Sequence, residues 1–97
     1  MNSFELTIKA KADLKNIAQY SDRKWGKSKR NNYIKQLDDC FHLLAEKPNL
    51  GFKIDFIHKG YMKFPQNSHM IFFKQITNSR IQIIRILHHK MDVKIHI

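Results

Sequence analysis

This 97-residue chain is poor in residues that break, loosen or cross-link a backbone: three glycines, two prolines and one cysteine. With so little Gly and Pro, it has no room for a long flexible linker. The single Cys40 cannot form an intramolecular disulfide, which fits a reducing compartment. No apolar run approaches the ~18 residues of a transmembrane helix. The first twenty residues include Glu5 and Asp13 and lack an unbroken apolar stretch, so no secretory signal is expected. Also missing are a Gly-rich phosphate loop, a nucleophile elbow and zinc-ligand spacing. These absences lead us to expect a soluble, cytoplasmic domain spanning residues 1–97, with no membrane contact, metal or cofactor.

Negative charge is scarce as well. Eighteen Lys and Arg oppose eight Asp and Glu, a formal charge of +10. The imbalance grows along the chain: residues 56–97 carry seven of the cations and one acid, Asp92. Such a surface attracts nucleic acid, an acidic protein, or a protein already holding DNA. What the chain does have is 42% apolar and 11% aromatic residues, enough for one modest core.

Periodicity places the elements. Phe4, Leu6 and Ile8 alternate with polar residues, as in a strand over 4–8 with one buried side. From Ala10 the period becomes helical: Ala10, Leu14, Ile17 and Ala18 form one stripe, continued by Ser21 and Trp25. Gly26 is placed to end that helix in a left-handed conformation. Tyr33, Leu37, Cys40, Phe41 and Leu44 mark a second helix, with Ser28 as its expected cap and Pro48 as its limit. So short a break makes the two helices an antiparallel hairpin. Residues 52–57 read either as a strand or as a buried irregular loop. Tyr61–Phe64 reads as a short strand that Pro65 confines to an edge or an end, and His69–Ile76 as a longer one. The run Ile81 to Leu87 is the central strand, apolar on both faces, with the opening strand completing the meander. The expected fold class is α+β, a single domain of order β-α-α-β-β-β with an antiparallel-rich sheet packed on a helical hairpin. Something must also cover the sheet's second face.

Several residues invite a chemical reading. Arg85 interrupts the central strand, and strict alternation puts it on a face with Ile81, Ile83 and Leu87. It is either paired with a local carboxylate or set in a groove that grips a partner's acidic or phosphate group; we take the groove as the expectation. His88, His89 and Lys90, with Lys94 and His96 behind them, form either a basic contact patch or a solvated strand end. Adjacent strand residues face opposite ways, which argues against a metal there. Five cations lie between Arg23 and Arg30. Trp25 among them suggests base stacking, but its place on the apolar stripe predicts a core position. Cys40 is expected in the core rather than as a nucleophile.

The segments Ala12–Tyr20 with Trp25-Gly26, Lys47–Gly51, Ser68–Phe73 and above all Arg85–Asp92 resemble, in their order and spacing, ParE-type toxins of the RelE/ParE toxin–antitoxin superfamily. That family's β-α-α-β-β-β fold agrees with the order read from periodicity. The resemblance implies a toxin that inhibits DNA gyrase and stabilises its cleaved DNA complex without being an enzyme. A cognate ParD-like antitoxin would neutralise it in a hetero-oligomer, its acidic tail folding along the hairpin and the sheet groove. Candidate gyrase contacts are Arg85, His88, His89, Lys90 and Met91. Candidate antitoxin contacts are Tyr33, Leu37 and Arg85. Direct nucleic-acid binding is possible but not expected of the protein alone. The alternative is the sister RelE branch, a ribosome-dependent messenger-RNA endoribonuclease, for which Lys63, Lys90 and His96 would be the nearest candidates.

Overall fold

A computed structural model describes residues 2–97, in the order β1 (Ser3–Leu6), α1 (Ile8–Trp25), α2 (Lys27–Glu46), a 3-10 turn (Pro48–Leu50), β2 (Phe52–Lys53), β3 (Tyr61–Gln66), β4 (His69–Thr77), β5 (Arg80–His88) and α3 (Val93–His96). The five strands form one sheet in the order β1-β5-β4-β3-β2. Its β5–β4–β3–β2 part is antiparallel, and β1 runs parallel to β5. The opening strand thus joins by a crossover rather than as a further turn of the meander.

The first helix begins two residues earlier than its apolar stripe suggests. Thr7 caps it, its hydroxyl accepting from Ala10 N–H at 3.0 Å and donating to the Ile84 carbonyl at 2.7 Å. Ile8, expected on the buried face of the strand, is therefore the first helical residue and 86% exposed. A one-residue break separates α1 from α2. Gly26, at φ 88°, ends the first helix and also occupies the N-cap of the second, so Ser28 lies inside α2 rather than capping it. Beyond Pro48 the chain squeezes past β4. A Cβ on Gly51 would be driven into the Phe73 ring, so no side chain fits there without repacking.

Two apolar layers result. The larger lies between the hairpin and the sheet, where Ala10, Ile17, Leu37, Cys40, Phe41 and Leu44 meet Ile71, Phe73, Ile81, Ile83 and Ile86. The second covers the opposite face: Ile54, Phe72 and Leu87 are buried, with Tyr61, Met70, Ile84, Val93 and Ile97 packed around them. This explains why β4 and β5 are apolar on successive residues. The cover is supplied by α3 and by residues 52–57, which are strand only at Phe52–Lys53 and then a turn anchored by buried Ile54.

Strict alternation fails within β5. Phe72 pairs with Arg85 and Phe73 with Ile83, leaving Ile84 as an extra, bulged residue. Ile81, Ile83 and Ile86 consequently serve the hairpin side, while Ile84 and Leu87 serve the other. Of the expected grouping, Arg85 keeps Leu87, on the face of its partner Phe72, and that single extra residue separates both from Ile81 and Ile83.

Candidate functional site

Strand β1 pairs with β5 only from Arg80 to Ile83, so the second half of β5 has no strand beside it on that edge. Side chains take over. The Asp13 carboxylate accepts the Ile86 backbone N–H at 3.0 Å, Arg85 Nε at 2.8 Å and Arg85 Nη2 at 2.9 Å. Arg85 Nη1 donates to the His96 carbonyl at 2.9 Å. The guanidinium thus ties α1, β5 and α3 together. Both partners of the pair are largely buried, and hydrogen bonding to Asp13 raises the Arg85 pKa further, keeping it charged. The groove reading of Arg85 is corrected: its bidentate partner is internal. The sequence could not reveal this, because Asp13 lies 72 residues away.

The strand ends at His88, and the next residues turn over its tip. His89 N–H and the His89 ring Nδ1 both lie 3.0 Å from the Ser68 carbonyl, so that ring nitrogen carries the proton and donates. The His88 and His89 rings are 4.4 Å apart, and His88 meets His69 edge-on at 5.5 Å. The turn therefore gathers side chains that a continuing strand would send to opposite faces. His69 Nδ1 is 2.5 Å from the Tyr33 hydroxyl. Burial lowers the His69 pKa, and repulsion from His88 and His89 adds to that. Burial lowers His88 as well, followed by the effects of His89 and Lys90. Burial raises the Tyr33 phenol. Tyr33, His69 and His88 are thus neighbouring groups, each shifted toward its neutral form. Among the described residues no cluster of three or more His, Cys, Asp or Glu is placed to hold a metal ion.

Three clefts surround this framework. One, of about 660 Å³, runs between the hairpin and the β3–β4 turn, from Trp25 and Lys29 to Tyr33, His69 and His88. Another, of about 520 Å³ and mostly apolar, is lined by Phe4, Leu6, Leu14, Ile34 and Phe41 beside edge strand β1, with Arg30 and Lys35 at its rim. A smaller third of about 140 Å³ gathers Lys63, His88, His89 and Met91 over the second core.

The candidate residues therefore divide. His88, His89 and Met91 share one cleft, and Lys90 is exposed beside them. Tyr33 lines the largest cleft, whereas Leu37 has no exposed surface and shapes the hairpin from within. Phe4, Leu14 and Ile34 were not picked out by sequence as a binding surface, though Leu14 on the apolar stripe was a signal that part of that stripe is left open. Cys40 is buried, which pushes its thiol pKa up to about 11 and leaves it inert, as expected. Trp25 is the opposite case. It continues the stripe in sequence, but the indole lines the cleft beside the hairpin and is 51% exposed rather than in the core.

These features define a basic α+β domain with open clefts on both flanks of its helical hairpin. A family model, the ParE toxin of the type II toxin–antitoxin system parDE, matches residues 4–93. Toxin ParE1 of Caulobacter vibrioides is 32% identical over 97 residues, covering 100% of this chain and 99% of that one. Toxin ParE1 of Mycobacterium tuberculosis is 31% identical over 88 residues, 91% of this chain and 90% of that one. A chain from the chromosomal ParDE system of P. aeruginosa shares the fold, with a TM-score of 0.75 at 23% identity, covering 91% of this chain and 96% of its own. The protein belongs to the ParE toxin family of type II toxin–antitoxin systems.

Proposed function

We propose that this toxin stops DNA gyrase by holding it on cleaved DNA, as its family membership implies, and that it makes and breaks no covalent bond itself. The observation that carries this reading is the family match across residues 4–93 together with full-length similarity to named ParE toxins. The contact surface we assign is the turn after β5: His88, His89, Lys90 and Met91, backed by the Lys63 cleft. Arg85 acts there as a framework residue that fixes the strand from which the turn springs. The site of action is the cytoplasm, where gyrase works; no helix among the described residues is long and apolar enough to cross a membrane.

A ParD-like antitoxin is the neutralising partner. Its amphipathic tail would lay its apolar side into the groove formed by Phe4, Leu6, Leu14, Ile34 and Phe41, and its acidic residues would suit the +10 chain. Tyr33 would extend that contact into the larger cleft, with Leu37 supporting it from the core. Messenger-RNA cleavage is the less favoured reading. The relatives named above carry the ParE name, and Lys90 and His96 lie outside the cleft that Lys63 lines.

The test is a gyrase supercoiling reaction with purified toxin. Inhibition together with linear DNA released on denaturation is the expected result, with no new cuts in a ribosome–messenger-RNA reaction. Normal supercoiling at saturating toxin combined with codon-linked RNA cuts would reverse the assignment.

A further inference from the structure

The tip of the helical hairpin, at the other end of the cleft into which Tyr33 would extend the antitoxin contact, is given no role by the reading above. Tyr20 and Trp25 are each 51% exposed, with ring centroids 5.9 Å apart and planes at 84°. Lys24 Nζ lies 5.3 Å from the Trp25 centroid and 5.6 Å from that of Tyr20, and donates to the Tyr20 hydroxyl at 3.2 Å. Lys29 joins them at the same end of the 660 Å³ cleft, and Asn16 and Asn32 supply amides along it. Of the five cations from Arg23 to Arg30, Arg30 sits 3.6 Å from Asp22. No ion pair joins the other four to a carboxylate among the described residues.

We propose that this tip is a binding site for single-stranded DNA, with an unpaired base stacked on the Trp25 indole, which Tyr20 meets edge-on, and flanking phosphates on Lys24 and Lys29. Three features select that occupant. Aromatic faces beside cations are what an unpaired base with its phosphate requires, because stacking is sequence-tolerant and the cations follow the backbone. Amides in the cleft match base edges, which carry both donors and acceptors, better than they match a run of carboxylates. The volume lies within the ~300–1,000 Å³ of sites that enclose a small ligand. The site goes beyond the gyrase reading and is tested without gyrase, so either can fail alone.

Trp25 is the only tryptophan in the chain, so its own fluorescence reports on the site. Titrating the intact toxin with oligo-dT of about a dozen nucleotides should quench it saturably. Anisotropy of a labelled oligo-dT then measures the variants. Trp25→Ala should weaken binding roughly 5- to 150-fold and Trp25→Phe much less, reflecting the loss of one stacked base. Lys24→Ala and Lys29→Ala should each flatten the salt dependence by about 0.7 in log–log slope, whereas Lys53→Ala, on β2, should leave it unchanged. Thermal melts of each variant confirm folding; Tyr20→Ala, which removes the indole's edge-on neighbour, provides a second loss of binding if Trp25→Ala melts early. The proposal is overturned if oligo-dT does not bind, or if aromatic variants bind as well as wild type. It is also overturned if Lys53→Ala costs as much as Lys24→Ala, or if oligo-rU, duplex DNA or a polyglutamate peptide binds more tightly than oligo-dT.

Discussion

Arg85 and Asp13 meet through two hydrogen bonds of 2.8 and 2.9 Å across 72 residues of sequence, and the same carboxylate accepts the Ile86 backbone N–H. One acidic side chain thus closes the open half of the central strand's edge and neutralises the cation in the middle of that strand. Removing either partner leaves a largely buried charge with nothing opposite it. Arg85→Ala or Asp13→Asn should cost about 3 kcal/mol and lower Tm by at least ~10 °C in a domain of this size. The joint replacement Asp13→Leu with Arg85→Met should lose less than the two singles added, since no charge is then stranded. Chemical denaturation of the four proteins measures this; an Arg85→Ala variant as stable as wild type would refute it.

The turn after β5 separates activity from stability. Lys90 is exposed and Met91 is 50% exposed. Lys90→Glu and Met91→Glu should therefore stay within ~0.5 kcal/mol of wild-type stability while markedly weakening gyrase inhibition. Dose–response curves for supercoiling, read beside the melting curves, check both halves. Unchanged inhibition would move the contact surface elsewhere.

Shortening the chain after His89 should behave differently. It removes Val93 and Ile97 from the second core and deprives Arg85 of the His96 carbonyl. Phe72 and Leu87 would then face water, at a cost of roughly 1.5–3 kcal/mol for each side chain laid bare. Calorimetry should show a broadened, early transition, and toxicity should fall with it. A sharp wild-type melt from the shortened chain would show that the second core stands without α3.

Acid should loosen the fold through His69. Burial holds its pKa below 6.5, and His88 and His89 push the same way, with Asp13 opposing them. The unfolded chain therefore takes up the proton first. The stabilisation is complete above the unfolded value of about 6.5 and is lost as pH falls through it toward the folded pKa. Urea midpoints measured from about pH 8 down to pH 5 should decline through this window, and His69→Gln should flatten the decline in part, His88 contributing the rest. A midpoint that holds steady or rises on acidification would contradict this account.

Much of the architecture was written in local pattern. The alternation of Phe4 and Leu6, the helical stripes from Ala10 to Leu44 and the doubly apolar run from Ile81 to Leu87 each report a neighbour that has to cover them, so element order and the helix-on-sheet layer could be read in advance. Caps and bulges escaped, because they turn on single side chains: the Thr7 hydroxyl moves the helix start, and the extra Ile84 changes which face its successors serve.

The sequence by itself determined a basic, cysteine-poor α+β domain whose central strand must be covered on both sides, since periodicity and composition are properties of neighbouring residues. Only the tertiary structure decided that Arg85 pairs with Asp13, that Trp25 is left half exposed in a cleft, and that Tyr33, His69 and His88 form one cluster. Those outcomes depend on contacts between residues far apart in the chain, which local spacing does not record.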